Sequence, residues 1–171
     1  MARTELERSV QPSLLDRLTD LAPDVPADPP VRAPVSARAF RDAVQRDVEW
    51  LLNTRRTIVA VPPTCPEVRR SVHEFGLPDT TGLPVSTREG RERLLEMLQD
   101  TLDRFEPRLG APRVRIVEVD GGGGLPSVRF TVEALLRMDP SPELVVFDTV
   151  LEIARGEFDV RDSDAADAGV S

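Results

Sequence analysis

The sequence lacks several residue types on which common functions depend. Its 171 residues include no lysine, no tyrosine, one cysteine, one histidine and one tryptophan. A single Cys65 cannot form an internal disulfide, which favours a reducing compartment. One cysteine with one histidine cannot complete a zinc site, and no carboxylate cluster has the spacing of a calcium loop. We therefore expect no bound metal and no cofactor.

Charge and hydropathy narrow the class of protein further. The formal net charge is −8 at pH 7, whereas phosphate binding needs clustered cations, so we expect no nucleic-acid partner. No apolar run approaches the roughly 20 residues that span a bilayer. The polar segment Met1 to Gln11 lacks the hydrophobic region of a secretory signal. These features predict a cytoplasmic protein that does not insert into a membrane.

Catalytic arrangements are poorly supported by the sequence. Cys65 could reach only His73, and no third group is placed to orient that histidine. The run Gly121 to Gly124 lies between two predicted strands and lacks the lysine of a phosphate-binding loop. Glycoside hydrolysis needs two carboxylates across a cleft, but most acidic residues fall on polar helix faces. We therefore expect a protein that is not an enzyme.

Hydrophobic periodicity divides the chain into three zones. Residues 1–34 contain a short amphipathic segment and a proline-rich linker; Leu14, Leu15, Leu18 and Leu21 share one face of that segment. Residues 35–155 are predicted to form one domain. Residues 156–171 are acidic and small, which predicts a disordered tail.

The first half of the domain is predicted to be helical. One helix opens at Ser36 and ends near Asn53, with its apolar stripe formed by Phe40, Val44, Val48 and Leu51. A shorter helix begins near Pro66 and should direct three side chains inward, namely Val68, Val72 and Phe75. A capping box from Ser86 to Glu89 predicts the start of a third helix, which Pro107 ends.

The second half of the domain has a periodicity of two, which indicates strands. We predict strands over residues 113–119, 128–137 and 144–153, and a slip of phase in the first suggests a β-bulge or burial on both faces. Helices followed by strands with short connections predict an α+β fold. In this fold the N-terminal helices pack on a small antiparallel or mixed sheet formed by the C-terminal half.

The segment Phe105 to Leu109 places Glu106 and Arg108 on either side of a rigid proline. One interpretation is a helix terminus with a surface ion pair worth about 0–1 kcal/mol. The other is a carboxylate and a guanidinium that are oriented toward a partner protein, where arginine is a frequent hot-spot residue. The sequence leaves both interpretations open.

Five segments, in order along the chain, resemble the TssE family. They are Ser13–Leu18, Leu51–Arg56, Ser71–Asp79, Phe105–Leu109 and Pro142–Thr149. The resemblance runs from about Ser13 to Ile153. His73, Glu74 and Phe75 replace commoner residues of the third segment, and the long linker and acidic tail are additional.

The resemblance implies a structural baseplate subunit of a type VI secretion system, which joins the baseplate wedge and initiates the contractile sheath. The family is homologous to a phage baseplate wedge protein. Its implied partners are the baseplate subunits TssF, TssG and TssK and the sheath proteins TssB and TssC. The implied location is the cytoplasm, at a baseplate docked on the inner membrane. The alternatives are a baseplate protein of a phage tail or of an extracellular contractile particle, a lysozyme-like murein hydrolase and, more distantly, an anti-adaptor.

The same resemblance implies partner-binding residues in four places. Glu106 and Arg108 would form the wedge contact, and Arg55 and Arg56 of the second segment would also bind a partner. A docking peptide would consist of Leu14, Leu15, Arg17 and Leu18. The strand Leu144–Ile153, with Val146 and Phe147, would offer its backbone to a partner strand.

Overall fold

The computed structural model describes residues 13–14, 18–19, 24, 37–80, 82–120, 127–139 and 141–163. Two helices precede four strands: α1 (Ala37–Asn53), α2 (Arg88–Phe105), β1 (Leu109–Asp120), β2 (Ser127–Leu136), β3 (Glu143–Glu152) and β4 (Glu157–Asp162). The strands form one antiparallel sheet in the order β1-β2-β3-β4. The predicted α+β fold, with its sheet in the C-terminal half, is confirmed.

Both helices pack on one face of the sheet. α1 contacts β4 and α2 contacts β1. The five predicted inward positions of β2 are buried and join the helix side chains in one apolar core; they are Val128, Phe130, Val132, Ala134 and Leu136. The phase slip in β1 corresponds to two register shifts, one of them between Ile116 and Glu118, which agree with the first of the two predicted explanations, a β-bulge.

The start of α2 differs from the prediction by one residue. Thr87, not Ser86, is the N-cap, and its hydroxyl accepts a hydrogen bond from the Gly90 N–H at 3.1 Å. A Cβ atom at Gly90 would lie 2.1 Å from the Pro84 carbonyl oxygen. The capping-box prediction was wrong because this close approach places glycine third in the helix, and Thr87 then satisfies its N–H.

The predicted helix after Pro66 is replaced by two 3₁₀ turns, Val68–Arg70 and Val72–Glu74. Val68 and Val72 are 37% and 89% exposed, whereas Glu74 is buried, so the predicted inward orientation was wrong for the two valines. Phe75, the third predicted residue, is partly buried and packs against the core, as expected. The carboxylate of Glu74 accepts a hydrogen bond from Arg56 Nη1 at 3.0 Å. This ion pair turns the polar side of the segment inward, a contact that helical periodicity does not reveal.

The stretch after β3 was predicted to be a disordered tail from residue 156, which is wrong for Glu157–Asp162. These residues form β4, in which Phe158 and Val160 are buried. Gly156, at φ +65°, reverses the chain directly after β3. Residues 164–171 and the glycine run 121–124 lie outside the described residues. The boundaries of the N-terminal segment stay predictions.

Candidate partner interface

The exit of α2 is held by a local ion pair. After Phe105 the chain leaves the helix, and the Glu106 N–H still donates to the Leu102 carbonyl at 3.0 Å. The Glu106 carboxylate accepts hydrogen bonds from Arg108 Nε at 2.6 Å and from Arg108 Nη2 at 2.5 Å. The Arg108 backbone N–H adds a third contact at 3.2 Å. With Glu106 only 4% exposed, its carboxylate is used inside the molecule.

Arg108 connects this turn to α1. Its Nη2 donates to Asp47 Oδ2 at 2.8 Å, and Asp47 Oδ1 accepts from Arg46 Nη2 at 2.9 Å. Burial lowers the pKa of Arg108, but the hydrogen bonds and charges of Glu106 and Asp47 outweigh it and raise that pKa above the ordinary value. Arg108 therefore carries a permanent positive charge in a fixed position.

A groove of about 450 Å³ lies beside these charges. Its lining is Asp47, Trp50, Leu51, Thr54, Phe75, Phe105, Glu106 and Arg108. The rings of Phe75 and Phe105 meet edge to face with centroids 5.5 Å apart. Trp50 is 53% exposed, and the Arg46 guanidinium lies 5.0 Å from its ring centroid. We call this surface the Trp50 groove.

The Trp50 groove lies inside the part of the chain that matches a known family. The family model described as Baseplate wedge protein gp25 matches residues 38–141, which is more than half of the chain. The chain belongs to the baseplate wedge protein gp25 family. TssE belongs to the same family, so the resemblance drawn from the five segments is confirmed. Searches of curated proteins and of solved structures gave no significant match.

In this baseplate wedge protein, Arg55 and Arg56 have different environments. The Arg55 backbone forms an isolated parallel bridge with Leu77, and its side chain is exposed. Arg56 donates its N–H to the Leu77 carbonyl at 2.8 Å and its Nη1 to Glu74. Arg104 Nη1 reaches the same Glu74 oxygen at 3.4 Å. Arg56 therefore holds the fold together, while Arg55 remains available to a partner.

The expected strand-addition site on β3 is wrong for residues 147–152, which pair with β2 on one side and with β4 on the other. Among the described residues, residues 143–146, which include Val146, pair with β2 alone, so strand addition there stays a prediction. Phe147 is fully buried and Val146 is half-buried. The prediction failed because β4 was not anticipated and β3 was therefore taken for an edge. Leu14 and Leu18 are 71% and 75% exposed, and Leu15 and Arg17 lie outside the described residues.

The two edge strands carry helix side chains on their outer backbone. Asn53 of α1 accepts from the Phe158 N–H at 2.9 Å and donates to the Phe158 carbonyl at 2.8 Å. Gln99 of α2 donates to the Pro112 carbonyl at 2.6 Å and accepts from the Val114 N–H at 3.3 Å. These amide clamps occupy backbone groups that β3 and β2 do not use. Strand addition at these positions would first displace an amide.

Sequence reasoning found the motif of this interface but missed its neighbours. Asp47 and Trp50 come from α1, and Phe75 follows the second 3₁₀ turn, so only the tertiary fold brings them to Arg108. One available signal was Trp50 itself, a large aromatic residue on the polar side of an amphipathic helix.

Across residues 37–163, as far as they are described, no group of three His, Cys, Asp or Glu could hold a metal. No described helix has the length and apolar character needed to cross a bilayer.

Proposed function

We propose that this wedge-family protein is a structural baseplate subunit of a type VI secretion system. It joins the wedge formed by TssF, TssG and TssK and initiates the sheath of TssB and TssC, in the cytoplasm at the membrane-docked baseplate. Membership of the family supports the baseplate role. The segments Ser13–Leu18 and Leu51–Arg56 favour the secretion system over a phage tail or an extracellular particle.

The Trp50 groove is the observation that carries this proposal. Its rim combines a half-exposed tryptophan with a fixed arginine, the residue types that dominate binding energy at interfaces. Glu106 lines the groove but is only 4% exposed, and its carboxylate accepts hydrogen bonds from Arg108, so it offers little surface to a partner. Its role is to hold Arg108 in place. The wedge contact then consists of Trp50 and Arg108, with Glu106 as the positioning residue.

A sheath strand needs an edge with unpaired backbone groups. The β4 edge carries the Asn53 clamp at Phe158, and Gln45 Nε2 donates to the Val160 carbonyl at 2.8 Å. The β1 edge is clamped by Gln99 only at Pro112 and Val114. We therefore assign sheath initiation to the remainder of β1, residues 115–120.

Co-purification of the tagged chain with TssF, TssG, TssK, TssB and TssC from its own organism tests the proposal. We expect recovery of the wedge proteins, and a fall of at least about tenfold for Trp50→Ala, as for an interface hot spot. Val72→Ala is the matched control, because Val72 is a more exposed apolar residue outside the groove. No recovery with the unmodified chain would overturn the baseplate role, and equal recovery with Trp50→Ala would remove the groove from it.

The lysozyme-like alternative is tested with purified murein. A hydrolase needs an available carboxylic acid in its cleft, whereas Glu106 is bonded by Arg108 and Glu74 by Arg56 and Arg104. We expect no release of soluble fragments. Release that is lost in a Glu106→Gln or Glu74→Gln variant would instead establish a hydrolase.

A further inference from the structure

The segment Thr57–Val61 has no hydrogen-bonding partner among the described residues. None of its five residues makes a hydrogen bond to another described residue, through either backbone or side chain. Its N-terminal side is anchored, because the Arg56 N–H donates to the Leu77 carbonyl at 2.8 Å. On its C-terminal side the Cys65 N–H donates to the Pro62 carbonyl at 3.0 Å, which closes a local turn. The segment is thus a short stretch of backbone, between this anchor and this turn, with its donors and acceptors unused.

The side chains of this segment are those of a strand. Ile58, Val59 and Val61 are β-branched and apolar, which favours extended pairing. Ile58 is 98% exposed and Val59 is 67% exposed, although apolar residues of this size usually pack away from water. Pro62 and Pro63 follow and lack N–H groups, so a ladder could not continue past them. The backbone bends at Ile58 and Val59 in the free chain. Once straightened, such a β-prone, apolar and unpaired segment is a template for another strand.

A groove of about 450 Å³ separates this segment from α2. It is distinct from the Trp50 groove, because α2 contributes a different side, which includes Arg93, Glu96 and Met97. Thr57–Val61 forms the facing wall. An extended chain in this space would have the backbone of Thr57–Val61 on one side and the α2 side chains on the other.

The charge of this second groove is opposite to that of the whole chain. Four arginines and three carboxylates line it, namely Arg56, Arg69, Arg93 and Arg104 with Glu74, Glu96 and Asp100, while the chain carries −8. Glu74 and Asp100 are bonded to arginines. The guanidinium of Arg69 has no ion pair among the described residues. Arg93 meets only Glu96, at 3.5 Å and with both side chains about two-thirds exposed. The uncompensated charge therefore favours an acidic occupant.

We propose that Thr57–Val61 is a strand-addition site, which takes an extended acidic segment of a neighbouring baseplate subunit. The proposal rests on the baseplate function proposed above for its choice of partner. The backbone supplies affinity, the β-branched side chains supply apolar contact, and Arg69 and Arg93 select a carboxylate on the incoming strand. Unlike the clamped positions on β1 and β4, this segment can accept a strand without displacing an existing hydrogen bond.

Two neighbouring proline substitutions test strand pairing directly. In a strand, successive N–H groups point to opposite sides, so only alternate residues donate to a given neighbour. With the purified baseplate subunits TssF, TssG and TssK as the probe, we expect one of Val59→Pro and Ala60→Pro to lose at least about tenfold in affinity, while the other binds nearly as tightly as the unmodified chain. Each variant controls for the other. Loss in both, or in neither, would overturn strand addition.

The charge of the occupant is tested with Arg69→Glu. We expect weaker binding that is partly restored at high salt, since salt screens the new repulsion; unchanged binding would overturn the acidic occupant. Hydrogen exchange adds a direct readout: the amides of residues 58–61 should exchange rapidly in the free chain, and alternate amides should slow in the complex. Partner recovery that is insensitive to the proline variants would reject this site alone, whereas no recovery with the unmodified chain would reject the baseplate function as well.

Discussion

Two buried carboxylates among the described residues are held by arginine, and they differ in the distance along the chain between the carboxylate and its arginine. Glu106 binds Arg108, two residues away across Pro107. Glu74 binds Arg56 and Arg104, which lie 18 and 30 residues away. The local pair fixes one side chain at the rim of the Trp50 groove. The long-range cluster instead ties three separate segments together, so similar burial serves positioning in one case and folding in the other.

Removing the local carboxylate should have the largest effect on stability. Glu106→Ala leaves the half-buried Arg108 with Asp47 as its remaining partner, so we expect a loss of about 2–4 kcal/mol. Urea unfolding measures it through a lower midpoint at constant slope. Glu106→Gln, which keeps the shape and one acceptor, should lose less. A loss in Glu106→Ala below about 1 kcal/mol, within the range of a surface ion pair, would mean that the pair is not a buried one.

Neutralising Glu74 should lower the free energy of unfolding by less than removing Glu106. The change should, however, loosen a longer segment of the chain. Glu74→Gln keeps one oxygen acceptor for two arginines that are 25% and 21% exposed, so we expect a loss of about 1–2 kcal/mol. The Leu77 amide, which donates to the Thr54 carbonyl at 2.8 Å, should exchange faster with solvent, because the segment from Arg55 to Leu77 loosens. If the Leu77 amide stayed as protected as before, the cluster would not join these segments.

Breaking an exposed ion pair should change the free energy of unfolding least. Arg88 and Glu92 pair at 2.7 Å one turn apart on α2, with side chains 81% and 55% exposed. We expect Arg88→Ala to leave the urea midpoint and partner recovery unchanged, because water screens such pairs. A clear shift of the midpoint would show that charge on α2 matters to folding independently of burial, and the distinction between these buried pairs and exposed ones would lose its basis.

Sequence reasoning succeeded where the structure depends on neighbours along the chain. The alternation in β2, the bulge near Ile116 and the end of α2 before Pro107 are all set by local geometry. The pairing of Glu106 with Arg108 is also local, and the sequence analysis identified both residues. These features need only the periodicity of the backbone and the stiffness of proline.

The predictions that failed at Glu74 and β4 depended on contacts between residues far apart along the chain. Glu74 turns inward because Arg56 and Arg104 meet it there, and β4 forms because Asn53 and the sheet receive Phe158. The charged residues that alternate with Phe158 and Val160, namely Glu157, Asp159 and Arg161, hid the short apolar alternation from a prediction based on composition. Asp47 and Trp50 joined the candidate interface only after α1 had been placed against the turn at Arg108. Such contacts depend on tertiary packing, which one sequence does not specify at the level of individual pairs.

The amide clamps have a consequence for the life of the subunit before assembly. A bare sheet edge invites pairing with any other edge, including that of a second copy. Asn53 and Gln99 each offer one donor and one acceptor, as a strand would, so an incoming strand can replace their hydrogen bonds one for one. The side chain then swings away into water, where its amide is again satisfied. The clamped positions are therefore guarded against pairing with a second copy, whereas no described side chain clamps the backbone of residues 115–120 of β1.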